Sequence, residues 1–150
     1  MRKNYIAGEW VASDDAVENR NPSDITDLIG LYAQASSAQL EAAIDAAGTA
    51  QKAWQATGLE ARQTALMTIG NALMARADEL GELLSREEGK PRAEGRGEIY
   101  RAGQFFTYYA AEVLRQIGDS PDSVRPGIEI DVRRDPVGIV AVISPWNFPT

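Results

Sequence analysis

Asp135-Pro136-Val137-Gly138-Ile139-Val140-Ala141-Val142-Ile143-Ser144-Pro145-Trp146-Asn147-Phe148-Pro149-Thr150 is the stretch that decides the fold class. Ile139 to Ile143 is an unbroken apolar run rich in β-branched residues, which suits a strand covered on both faces in a parallel sheet. Ser144-Pro145 then turns the chain, and between two prolines stand an aromatic, a side-chain amide and a second aromatic. In open α/β sheets, ligand chemistry gathers just past the carboxyl ends of strands. Asn147 therefore stands where a functional side chain is expected, although an Asn in such a place also serves simply to cap or turn the backbone. The expected class is α/β.

Composition narrows the chemistry. The chain has 150 residues, 44% apolar and 25% charged, the balance of an ordinary globular domain. A net charge of −7 disfavours nucleic acid or an anionic membrane surface as partner, since both select for clustered Lys and Arg. No apolar run reaches transmembrane length, and Met1-Arg2-Lys3-Asn4-Tyr5 has no apolar signal region behind its charges, so a cytoplasmic chain is expected. There is no Cys and no His. Disulfides, thiolate metal sites and a Ser-His-Asp or Cys-His device are thereby excluded from these residues, no metal site is expected, and acid-base work falls to carboxylates or Lys.

Working back along the chain, Ile128, Ile130 and Val132 alternate with Glu129, Asp131 and Arg133, the period-two pattern of a strand with one wet face. Before it, a helix from about Glu94 to Ile117 would bury Ile99, Ala102, Phe106, Tyr109, Val113 and Ile117 and stop at Gly118. A preceding helix, started by Thr57-Gly58-Leu59-Glu60, carries Ala65, Leu66, Ile69, Leu73, Ala77, Leu80 and Leu84 at spacings of three and four and ends at Gly89. Ser36-Ser37-Ala38-Gln39 has capping-box form and opens a helix whose apolar side is Leu40, Ala43, Ile44, Ala47 and Trp54. Asn4 to Val11 reads as a strand pair turning at Ala7-Gly8, Leu28 to Ala35 as a weaker edge strand, and Ser13–Asp15 and Asn19–Pro22 as loop.

Some motifs are decoys. Gly95-Arg96-Gly97-Glu98-Ile99-Tyr100 begins like a dinucleotide fingerprint, but Tyr100 stands at the third glycine and no strand precedes it. Gly89-Lys90 imitates the end of a phosphate loop, yet Leu84 replaces the first glycine and Pro91 the hydroxyl residue. The pairs Glu87-Glu88 and Asp14-Asp15 read as solvated surface, because adjacent side chains point apart.

Arg134-Asp135-Pro136-Val137-Gly138-Ile139-Val140, followed by Ser144-Pro145-Trp146-Asn147-Phe148-Pro149, resembles the signature that opens the cofactor domain of the aldehyde dehydrogenase superfamily. Tyr5–Trp10, Asn21-Pro22, Glu87–Lys90 and Tyr108–Ala110 agree in order and spacing, so the resemblance spans the chain. Arg86–Lys90, Glu94-Gly95, Gly97-Glu98, Arg101–Gln104 and Ser123–Gly127 look most like the branch acting on 2-oxoglutarate semialdehyde.

The resemblance implies an organisation of three parts. Residues 1–123 would be the helical part of the cofactor-binding domain with its leading hairpin, 124–135 a β arm for subunit assembly, and 136–150 the first strand and motif of the sheet. It also implies a reaction: a Cys thiolate adds to an aldehyde, hydride passes to NAD or NADP, and Glu-activated water hydrolyses the thioester. By position, Asn147 would donate to the developing oxyanion, Ile143, Ser144, Pro145 and Trp146 would run along the cofactor, and Phe148 would line the aldehyde tunnel. A carboxamide suits the first role because it donates without titrating. Lacking the Cys, the chain by itself is expected to be a catalytically silent fragment, poorly folded or dependent on a partner, within a homo-oligomeric enzyme. The alternative is a non-catalytic assembly module.

Overall fold

A computed structural model of the chain describes residues 1–115 and 117–150. Two antiparallel strand pairs lead: β1 (Asn4–Ile6) with β2 (Glu9–Val11), and β3 (Ala16–Asn21) with β4 (Asp24–Ala33). Four helices follow: α1 (Ser37–Ala56), α2 (Leu59–Ala75), α3 (Ala77–Glu88) and α4 (Arg92–Val113). The first hairpin turns at Ala7-Gly8 as the sequence implies, both residues at positive φ (52° and 88°), the arrangement of a two-residue turn that matches strand twist. Tyr5 and Trp10 face each other across it with ring centroids 5.0 Å apart.

The second hairpin corrects two expectations. Asn19–Asn21 is strand rather than loop, its irregular sequence absorbed by register shifts on either side of Arg20. β4 also begins earlier than expected, at Asp24; in its two-stranded sheet it is an edge strand, as expected, and Arg2 bridges its other side, donating to Leu31 O at 2.6 Å and accepting from Ala33 N at 2.8 Å.

The capping box of α1 forms in both directions: Gln39 N–H donates to Ser36 Oγ at 3.2 Å, and Ser36 N–H to Gln39 Oε1 at 3.2 Å. No such box starts α2. Its cap is Gly58, and the Thr57 hydroxyl instead donates back to Ala53 O in the last turn of α1. The long second helix expected from the stripe is two helices, broken at Arg76 (φ −104°, ψ 17°). Neither Gly nor Pro marks the break, and the trace it leaves in sequence is the acidic pair Asp78-Glu79, which sits in the first turn of α3 where the helix dipole favours negative charge. Gly89 ends α3 in the left-handed region (φ 77°), as expected.

α4 packs on both α2 and α3, and glycines set the closeness. A Cβ on Gly81 would lie 2.5 Å from the Arg96 backbone, and one on Gly103 2.7 Å from Gly70 O. The core is thus small: Ala77, Leu84 and Ile99 are buried, with Leu73 and Leu80 against them. Three residues expected in it are not. Ile69 is 43% exposed, Tyr109 is 59% exposed, and Ile117 at 75% lies past the end of α4 at Val113, beyond Gln116, which is outside the described residues. The apolar side of α1 is likewise open, with Leu40, Ile44 and Trp54 all exposed. An amphipathic stripe states that a face needs a cover without stating which element covers it.

From Ser120 onward regular structure is sparse. The alternating segment forms isolated bridges, Asp119 to Val132 and Asp122 to Glu129, with Ile128, Ile130 and Val132 all exposed, so both of its faces are wet. Residues 139–143, expected as a buried strand, pair with no strand among the described residues, and Ile143 is 92% exposed. A strand is defined by its ladder, and an apolar run with no neighbour to bond has none. The chain is nonetheless α/β in class.

Candidate active site

The turn at Trp146-Asn147 is held by two side chains from the helical layer. Lys90 follows the left-handed cap of α3, and Glu98 sits on α4 beside the buried Ile99. The Lys90 ammonium donates to the Asn147 carbonyl at 3.0 Å and to Glu98 Oε2, and lies 2.5 Å from Glu88 Oε2. It also stands 5.0 Å from the centroid of the Phe148 ring, within cation–π range. On its other oxygen Glu98 accepts from Thr150 twice, from the hydroxyl at 2.6 Å and the amide at 3.2 Å. Burial pushes the Glu98 carboxyl up, but the hydrogen bonds from Lys90 and Thr150 outweigh it and hold its pKa below the ordinary Glu value.

Glu88 corrects the reading of Glu87-Glu88 as solvated. Its side chain is 12% exposed and paired with Lys90, while Glu87 turns the other way and accepts from Asn19 at 2.9 Å and Tyr32 at 2.8 Å. The two do point apart, but each finds a partner.

The residues singled out from sequence lie together on one exposed stretch. Ile143, Ser144, Pro145, Trp146, Asn147 and Phe148 are all exposed, and the Asn147 carboxamide makes no hydrogen bond among the described residues. Only the Asn147 backbone is tied down. Phe148 forms a wall of a cleft of about 450 Å³ whose other lining includes Arg101, Phe105 and Thr150, a volume in the range of small-molecule sites. Arg101 is stacked on Phe105, its guanidinium carbon 4.8 Å from the ring centroid.

Lys90 and Glu98 were missed from sequence because each sits inside a motif rightly set aside as a decoy. The signal that could have found them is an acid, Glu98, on the same helix face as Gly95, Ile99 and Ala102, with a lysine eight residues earlier. An ionised side chain on a face that packs demands a partner.

With this arrangement in hand, the chain is assigned to its class: it belongs to the aldehyde dehydrogenase family, whose model matches residues 10–150. It is 36% identical over 149 residues to an alpha-ketoglutarate semialdehyde dehydrogenase of Haloferax volcanii, covering 98% of this chain and 31% of that protein. Two solved structures are similar in shape. An E. coli NADP-dependent enzyme superposes with a TM-score of 0.93 at 35% identity, over 99% of this chain and 31% of that one. An NAD-dependent benzaldehyde dehydrogenase from Corynebacterium glutamicum gives a TM-score of 0.89 at 37% identity, over 99% and 32%. The chain therefore spans about a third of the length of the relatives it matches. No helix among the described residues is long and apolar enough to cross a membrane.

Proposed function

We propose that the chain supplies the oxyanion-donor part of an enzyme that oxidises an aldehyde to a carboxylate with NAD or NADP, the aldehyde being 2-oxoglutarate semialdehyde. The observation that carries this reading is the Trp146-Asn147-Phe148 turn: its backbone is anchored by a half-buried lysine while its carboxamide stays unbonded among the described residues, beside a cleft walled by Phe148. A neutral amide N–H held in place can stabilise an aldehyde oxygen as it gains negative charge, a contribution of about 3–4 kcal/mol to the transition state.

Ile143, Ser144, Pro145 and Trp146 would hold the cofactor. Their exposed backbone has no ladder partner among the described residues, so its N–H and C=O groups are open to ribose hydroxyls. When bound, NAD or NADP supplies the hydride acceptor. The carboxylate end of the proposed substrate needs a cation, and Arg101 at the cleft offers one. Residues 1–123 serve as the helical layer, 136–150 as strand and motif, and 124–135 as an assembly arm of a homo-oligomer.

The test is a dehydrogenase assay on the full-length protein with 2-oxoglutarate semialdehyde and each cofactor. Asn147→Ala lowers turnover about 10²–10³-fold with cofactor affinity little changed. An unaltered hydride-transfer step in stopped-flow kinetics would remove Asn147 from the chemistry. A second reading, a non-catalytic assembly module, draws on the breadth of exposed apolar surface at Trp54, Val137 and Ile143. Failure of the full-length protein to reduce either cofactor with any aldehyde favours it.

A further inference from the structure

We infer that Lys90 and Glu98 are positioning residues: together they clamp the turn that carries Asn147 onto the helical layer and so set where its carboxamide is presented. The inference rests on the reading of Asn147 as oxyanion donor. Three observations support it. The clamp reaches the turn at three places, the Asn147 carbonyl and the Phe148 ring through Lys90, and Thr150 through Glu98. Bonding the Asn147 carbonyl fixes the peptide plane that follows its Cα, and with it the origin of the side chain. Finally, the clamp is buried where charge is costly. Glu98 is 8% exposed and the Lys90 side chain 13%, next to the core residue Ile99.

An ion pair that served packing alone could be replaced by apolar residues with little loss. Here the ammonium serves three groups at once, donating to Glu98 and the Asn147 carbonyl and forming an ion pair with Glu88. Without Lys90, one buried and one half-buried carboxylate, Glu98 and Glu88, would face that carbonyl with no cation between them. Like partial charges repel, and the turn would lift away.

The experiment is a double-mutant cycle in the full-length protein with a parallel exchange measurement. Lys90→Met lowers kcat by about 10- to 10²-fold, the scale on which a displacement of about 1 Å acts, while KM for the cofactor stays within about twofold. Lys90→Arg, which keeps the charge and the donors, restores most of the rate. Because Lys90 acts through Asn147, the Lys90→Met/Asn147→Ala double variant is no slower than Asn147→Ala alone. Additive losses overturn the proposal and leave the oxyanion reading standing. If instead Asn147→Ala is inert, the oxyanion reading fails, and the clamp is judged by hydrogen exchange alone. In Lys90→Met, amide exchange across residues 144–150 rises at least about tenfold, and unchanged exchange refutes the clamp. Should Lys90→Met not fold, Glu98→Gln keeps the shape and weakens the Thr150 end; unchanged exchange at Thr150 is then the refuting result.

Discussion

Gly81→Ala tests the packing that brings Lys90 and Glu98 together. On α3, the added Cβ would lie 2.5 Å from both the Cα and the N of Arg96 and 2.9 Å from the carbonyl carbon of Gly95. These are backbone atoms of a facing helix and cannot swing aside as a side-chain tip can. Restoring van der Waals contact requires α3 and α4 to part by about 1 Å, enough to forfeit much of the dispersion between them. Leu84 and Ile99, buried between these helices, would lose contact. Overpacking of this kind costs about 1–3 kcal/mol, here toward the upper end because both closest atoms are main chain. Replacing a helical Gly by Ala returns about 1 kcal/mol of propensity, leaving a net loss of about 2 kcal/mol. Gly97→Ala is the control, since a Cβ there meets nothing within 4 Å and should gain about 1 kcal/mol. Urea unfolding followed by far-UV circular dichroism separates them, with the Gly81→Ala midpoint lower by about 1 M and the slope unchanged. A Gly81→Ala midpoint equal to that of Gly97→Ala would refute the close-approach reasoning.

Ser36→Ala removes one arm of the capping box and should cost about 1 kcal/mol, read as a lower unfolding midpoint and faster amide exchange in the first turn of α1. Glu98 gives a pH dependence whose sign is set by its lowered folded pKa. In the acid range the unfolded chain binds the proton more readily, so the stabilisation is present above the unfolded Glu pKa and is lost as pH falls through the lower folded value. The unfolding midpoint of the native sequence therefore drops on acidification more than that of Glu98→Gln, and equal slopes would contradict the assignment.

The helical layer was largely legible because its signals are local. The Ser36 to Gln39 box, the Gly89 cap and the Ala7-Gly8 turn each depend on neighbours within a few residues, and each forms as read. Errors cluster where no local signal marks the outcome. Asn19–Asn21 carries no strand signal of its own, yet is drawn into pairing by β4, and the break at Arg76 interrupts a stripe that continues across it without a flaw in period.

By itself, then, the sequence determined the class, the start of α1 and the stop of α3, and the position of Asn147 between two prolines. It also determined the absence of any thiol or imidazole among these residues. Tertiary structure alone decided which glycines face one another, that Lys90 and Glu98 leave their decoy motifs to grip a turn more than fifty residues away, and that Glu88 is half-buried and paired rather than wet. The reason is range: hydrogen bonds within a helix turn or a hairpin are written in residues a few places apart. The cost of burying a charge, by contrast, is settled only by what folding brings beside it.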